Sequence, residues 1–173
     1  MFDKLGVDGG EYKMGQWRKI AVHNDNNIKG FFGDYRWLSN MWPCEIEYEG
    51  LKYPSTENAY QAAKLVEADR VHLTTCTPYE SKLRWKKFRL LDTESGVWDT
   101  RKRRIMLRVS LVKYNNNIDL RKKLLETGEK HLEEACWWRD TYWAVDCRLG
   151  GENNLGKILM DVREFFKNKS VGG

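Results

Sequence analysis

The chain has 173 residues, of which 41% are hydrophobic and 32% charged, and it carries a formal net charge of +5. That length can bury a real core and suits one compact enzyme-sized domain, and the balance excludes a disordered or fibrous protein. No apolar run approaches the length of a membrane span and the N-terminus lacks the apolar core of a signal peptide, so a cytoplasmic protein without a membrane partner is expected.

In chain order, residues 1–18 are rich in Gly and charge and read as a loosely held, flexible arm. Ile20-Ala-Val22 reads as a short strand. Cys44, Ile46 and Tyr48 alternate with glutamates, and after Glu49-Gly50 comes Leu51-Lys-Tyr53, a pattern that predicts a β-hairpin. A first helix is predicted from about Ser55 to Ala68, with Ser55 as N-cap. It brings Glu57, Gln61 and Lys64, spaced i, i+4 and i+7, onto one face, so that a carboxylate, an amide and an amine lie within about two turns. Two readings are open: an acid beside an amine suits acid/base or nucleophilic work, and a first-turn Glu with a later Lys is also ordinary helix chemistry. On spacing alone the second is the better one.

A second helix opens at Thr77-Pro78-Tyr-Glu80, a capping box with Pro at the first helical position. A third, from about Asp99 to Tyr114, sets Ile105, Val109 and Val112 on one stripe beside Met106. A fourth covers Asp119 to Thr127 and stops at Gly128, a C′ residue. The last starts near Asn154 and buries Leu155, Ile158, Leu159, Val162, Phe165 and Phe166. With no repeat or low-complexity linker, the expectation is a single α+β domain, predominantly helical, with a small β-hairpin element and a tail at 169–173.

Cys44, Cys76, Cys136 and Cys147 are scattered without a CxxC pair, and only His23, His72 and His131 join them, so no metal site and no disulfide framework are expected. Between Lys82 and Arg108 there are ten Lys or Arg against Asp92, Glu94 and Asp99, a local balance of +7. Such a run either attracts phosphate or forms a solvated helix face. Eight tryptophans exceed what a core of this size needs, and aromatic walls are what a site uses to hold a flat base.

Several separated segments then fall into one pattern: Phe32-Gly-Asp-Tyr-Arg-Trp-Leu38-Ser39-Asn40, Tyr48-Glu-Gly50-Leu-Lys-Tyr53-Pro-Ser-Thr-Glu57, Gln61, Lys64, Trp98, Leu125-Glu-Thr127-Gly128, Asp140-Thr-Tyr-Trp143 and Gly151-Glu-Asn153-Asn-Leu155-Gly156 through Arg163. In that order they resemble the NADAR family, the YbiA-like N-glycosidases, over about residues 31–165. Two positions depart from the family pattern, Asn58 where His is usual and Ala144 where Gly is usual.

The resemblance implies a single catalytic domain over 19–168, expected as a monomer that needs no cofactor and no metal. It implies an N-glycosidase that cleaves a phosphorylated ribosyl or ADP-ribosyl substrate. Candidate substrates are phosphoribosylamino-pyrimidine intermediates of the riboflavin pathway and ADP-ribosylated guanine, which would make ADP-ribosylated nucleic acid a partner. A catalytically reduced binder of ADP-ribose-like ligands is the alternative. The family's site residues carry over to Glu57, Asp140 and Lys64 as catalytic groups. Trp98, Trp143, Ser39, Asn40, Gln61 and Asn153 carry over as substrate-binding groups. Cleaving the bond builds positive charge on the sugar, which carboxylates at Glu57 and Asp140 would stabilise while activating water or protonating the base. Alternatively Lys64 attacks the opened sugar carbon as a neutral amine and forms a Schiff base. Asp140, Asn153, Ser39 and Asn40 also read as cap or turn formers. If the site is real, Glu57, Lys64, Trp98, Asp140 and Trp143 converge, with the Lys82–Arg108 run along one rim.

Overall fold

The computed structural model describes residues 17–171 apart from Thr93. Most of the arm expected over 1–18 lies outside the described residues, and Trp17 and Arg18 open a 3₁₀ turn, Trp17–Lys19. The strands are β1 (Val22–His23), β2 (Asn27–Lys29), β3 (Pro43–Tyr48), β4 (Leu51–Ser55), β5 (His131–Glu133), β6 (Ala135–Cys136) and β7 (Val145–Asp146). The helices are α1 (Thr56–Ala62), α2 (Pro78–Arg84), α3 (Val97–Asn116), α4 (Ile118–Glu126) and α5 (Asn154–Val171), with further 3₁₀ turns at Gly33–Leu38, Glu67–Leu73 and Trp85–Lys87. The protein is therefore α+β and predominantly helical. It folds as two compact units, residues 40–116 and residues 17–39 with 117–171.

In the 40–116 unit, β3 and β4 form the expected hairpin with Ile46 opposite Tyr53 and Tyr48 opposite Leu51. Glu49 and Gly50 both take positive φ, 48° and 80°, the geometry of a tight two-residue hairpin turn. Ile46, Tyr48 and Tyr53 are buried along one face, as alternation requires. The Glu49 carboxylate ties this turn to Arg70 and to Arg108. The helix predicted over 55–68 is shorter. Ser55 caps it as expected, its Oγ accepting from the Asn58 amide at 3.2 Å, but α1 ends at Ala62. Beyond it the Val66 amide donates to the Arg89 carbonyl and the Leu91 amide donates to the Lys64 carbonyl, a short β-bridge that takes the backbone groups a longer helix would need. The capping box of α2 forms as read, with Thr77 and Glu80 bonded reciprocally. α3 packs on β3 and α1. Its buried stripe includes Ile105, Met106 and Val109 but turns onto Ser110, Lys113 and Tyr114, leaving Val112 only half-buried.

In the other unit, β1 pairs antiparallel to β2, and β2 pairs parallel to β5 with Ile28 opposite Leu132. The first strand begins two residues later than Ile20, because the amides of Ile20 and Ala21 donate to the Trp17 carbonyl and close the 3₁₀ turn. α4 stops as expected, with Gly128 at φ 58°. α5 packs on β5 and α4 and buries Leu155, Ile158, Leu159, Val162 and Phe166, while Phe165 is exposed at the edge of that stripe. Arg163 of α5 donates to the Thr127 hydroxyl and the Lys130 carbonyl, fastening the turn after α4. β6 and β7 pair in parallel and frame the loop that carries Asp140 and Trp143.

Candidate active site

Glu57 stands in the first turn of α1, where the Ser55 cap fixes the helix start and the dipole favours an anion. Its amide donates to the Asn40 carbonyl at 3.0 Å, which pins the helix start to the segment before β3. Its side chain is buried, and Oε1 accepts from Gln61 Nε2 at 2.7 Å, the i, i+4 contact the sequence predicts. The other end of that amide, Gln61 Oε1, is buried and meets no donor among the described residues. A buried acceptor without a donor is costly in a finished core and is a natural place for a ligand hydroxyl or amine to bind.

Lys64 lies just past α1 in a tightened last turn, its amide donating to the Gln61 carbonyl at 3.2 Å. Its Nζ sits among three aromatic rings, 4.1 Å from the centroid of Trp85, 5.2 Å from Tyr60 and 5.5 Å from Trp98. Burial pulls the ammonium down from 10.5 to about 8. The Glu57 charge opposes that fall, and Lys82 and Lys86 add to it by like-charge repulsion. At neutral pH roughly a tenth of such a lysine is the neutral amine, far more than for a solvated one. This is the chemistry a nucleophilic lysine requires.

The same unit holds Asn40, Gln61 and Trp98. Asn40 is buried, with Nδ2 against the Met106 sulfur at 3.4 Å. Trp98 leans on Tyr60 with centroids 5.4 Å apart. Asn58, the departure beside Glu57, is buried and spends its side chain on the fold. Its amide donates to the carbonyls of Leu73 and Cys76, both at 2.9 Å, and its Oδ1 accepts from Ser55 Oγ at 2.6 Å.

Of the basic run, Arg84 pairs with Glu80, Arg89 with Asp69, Arg101 with Asp92, Lys102 with Asp99 and Arg108 with Glu49. Much of the run therefore serves local ion pairs, and Lys82 and Lys86 are the members whose charge reaches Lys64.

The remaining sequence-assigned residues belong to the other unit. Asp140 Oδ1 accepts from the amides of Tyr142 at 3.2 Å and Trp143 at 2.8 Å, so the carboxylate closes its own turn and is held in one orientation. Trp143 stands edge-on to Tyr142 at 4.8 Å. The carbonyls of Tyr142 and Trp143 accept from the amides of Asn154 and Leu155, joining this loop to the first turn of α5. Asn153, at φ 54°, spends its side chain inside the fold, accepting from the Glu134 amide and donating to the Leu132 carbonyl. A side chain at Gly156 would collide with that amide and with the Leu132 carbonyl, which accounts for glycine there. Ser39 is buried and receives Arg36 Nη1 at 3.4 Å.

Trp85 and Tyr60, two walls of the lysine cage, were not among the residues assigned from sequence. The available signal was the aromatic interleaving of the basic run at Trp85-Lys-Lys-Phe88. Among the described residues no three His, Cys, Asp or Glu side chains gather as metal ligands would.

Comparison with known proteins agrees with this architecture. The family model for the NADAR domain matches residues 28–167. An N-glycosidase of Nostoc punctiforme is 31% identical over 140 residues, 78% of this chain and 87% of that protein. A riboflavin biosynthesis protein of Vibrio vulnificus is 32% identical over 139 residues, 76% of this chain but 35% of that longer protein. The NMR structure of the E. coli protein YbiA superimposes with a TM-score of 0.74 at 25% identity, covering 91% of this chain and 94% of that one. Extending across both compact units, the match identifies the chain as a member of the NADAR domain family.

Proposed function

We propose that this hydrolase of N-glycosyl compounds cleaves the bond between a phosphorylated ribosyl or ADP-ribosyl group and an amino-bearing base, with Lys64 as nucleophile. The hydrolase class follows from N-glycosidase relatives about 30% identical over most of the chain. The observation that carries the proposal is the caged Lys64 amine, held near a pKa of about 8 within reach of the Glu57 charge. A riboflavin-pathway relative supports a phosphoribosylamino-pyrimidine as one substrate, and Lys82 and Lys86 supply the positive charge that a phosphate would seek.

In this reading the ribose ring opens to leave C1′ doubly bonded to the base nitrogen. Neutral Lys64 adds to C1′, and the base departs with the electron pair of its C1′–N bond and a proton relayed by Glu57. Water then adds to the lysine iminium at C1′, returning the amine and releasing the sugar as its aldehyde. Gln61 Oε1 accepts from a substrate hydroxyl, and Trp98 flanks the base.

The test is to incubate the protein with a phosphoribosylamino-pyrimidine and with ADP-ribosylated guanosine in the presence of borohydride. Released base and a sugar adduct on Lys64, both lost in Lys64→Arg, are expected by mass spectrometry. Base release at a comparable rate in Lys64→Arg without any adduct would remove the lysine route.

A further inference from the structure

An aromatic run outside the residues assigned to the glycosidic site lies within the unit made of residues 17–39 and 117–171, partly on the loop between β6 and β7 that also carries Asp140. Trp17 stacks on Phe32 with centroids 6.1 Å apart and planes at 27°, and Phe32 stacks on Trp137 at 5.7 Å and 26°. Trp138 meets Trp137 edge-on at 5.1 Å. Phe32 is buried, whereas the three indoles are each part-exposed. The core thus holds the middle of the run and leaves indole surface toward solvent.

Positive charge accompanies it. The Arg18 guanidinium sits 5.3 Å from the Trp17 centroid, and Arg148 Nη2 donates to the Trp137 carbonyl at 2.8 Å. Arg139 follows Trp138 in a left-handed conformation, φ 66°. The buried Asp146 carboxylate fixes this loop, accepting from the backbone amides of Arg139 at 2.8 Å, Arg148 at 3.0 Å and Leu149 at 3.2 Å. Those bonds hold its pKa below the usual carboxylate value, and Arg148 Nε lies 3.7 Å from Oδ1, so this carboxylate also orients the Arg148 guanidinium. Arg18, Lys19, Arg139 and Arg148 are all exposed.

We infer that this surface binds single-stranded nucleic acid, with bases stacked on the indoles and phosphates met by the arginines. Part-exposed indoles offer stacking faces that any unpaired base fits, and a duplex hides those faces. Arginine beside them supplies both phosphate contacts and its own stacking plane. The inference uses no residue assigned to the glycosidic site and stands whether or not the proposed substrate is right.

Fluorescence anisotropy with a labelled single strand of about 12 nucleotides tests it, with a duplex of the same sequence and anionic phosphatidylserine vesicles as comparisons. The single strand should bind more tightly than the duplex, and the affinity should fall with salt at a log–log slope of about −0.7 per phosphate engaged. Trp138→Ala should weaken binding about tenfold, as loss of one stacked base does, and Trp138→Phe should recover most of it. Arg18→Ala with Arg139→Asn should weaken binding and flatten the salt dependence. Both side chains are exposed and Asn tolerates the left-handed backbone, so this pair keeps the fold even if the tryptophan variant does not. Glu57→Gln should bind the strand like the parent, and Trp138→Ala should release base from a small substrate at the parental rate. The inference is overturned by absence of single-strand binding, by equal affinity for the duplex, by binding to vesicles alone, or by affinity unchanged in both the indole and the arginine variants.

Discussion

Lys64 shows how a single residue acquires chemistry from its surroundings. Exposed, it would be protonated at any physiological pH. Among Trp85, Tyr60 and Trp98 it loses hydration, and the charged form suffers most. The folded-state value is lowered, so the neutral amine grows as pH rises through about 8, and turnover should climb along a limb with that apparent pKa. Trp85→Ala tests the cause. Losing the ring lets water in, which raises the pKa, and also removes a cation–π contact, which lowers it. The contact is worth only about 0.5–1 kcal/mol where water reaches it, so loss of burial wins. The rising limb should move toward higher pH, with activity at pH 7 falling several-fold and returning in alkaline buffer, and Trp85→Phe should restore the profile. A pH–rate profile unmoved by Trp85→Ala would mean that the cage does not set the lysine. Glu57 gives a second residue-scale prediction. Its side chain is buried rather than exposed, so Glu57→Gln removes a buried charge while keeping the shape. Thermal melting should be unchanged or slightly higher, while turnover falls by about 10²–10⁴-fold if the carboxylate relays the proton. A parental rate in a variant that melts like the parent would exclude that role.

At the scale of elements, what was legible followed from local cues. Alternation and Glu49-Gly50 located the β3–β4 hairpin, Thr77-Pro-Tyr-Glu80 located the start of α2, and Gly128 marked the end of α4. What was not legible depends on distant partners. α1 ends at Ala62 because Leu65 bridges Leu90, and nothing within the helix window announces a partner 25 residues away. The lysine cage was missed for the same reason, since Trp85 reaches Lys64 through the fold and not through spacing. Asn58 is a third case. Read from sequence it is a departure beside an assigned position, and in the structure it staples α1 to the Leu73–Cys76 segment through two hydrogen bonds and accepts a third from Ser55. Asn58→Ala should therefore cost about 2–4 kcal/mol in stability, because two buried carbonyls and a buried hydroxyl lose their partner. Chemical denaturation measures it. A loss below about 0.5 kcal/mol, the range of a surface change, would show that these bonds are not what hold the segment.

At the scale of the whole molecule, the assigned residues divide between the two compact units, Glu57, Gln61, Lys64 and Trp98 in one and Asp140, Trp143 and Asn153 in the other. If one substrate is served by both sets, Glu57 and Asp140 act on one transition state. Kinetics can decide this without a ligand complex. Asp140→Asn keeps an oxygen that accepts from the Tyr142 and Trp143 amides, so the turn survives and only the charge is lost. Groups that act on one transition state lose their effects together, not additively. Glu57→Gln and Asp140→Asn should each depress kcat, and the double variant should fall little further than the worse single one. Multiplied losses in the double variant would separate the two carboxylates into independent roles. A parental kcat and KM in Asp140→Asn would leave that carboxylate as the turn cap it also is, and the chemistry would then rest with the Glu57, Gln61 and Lys64 unit alone.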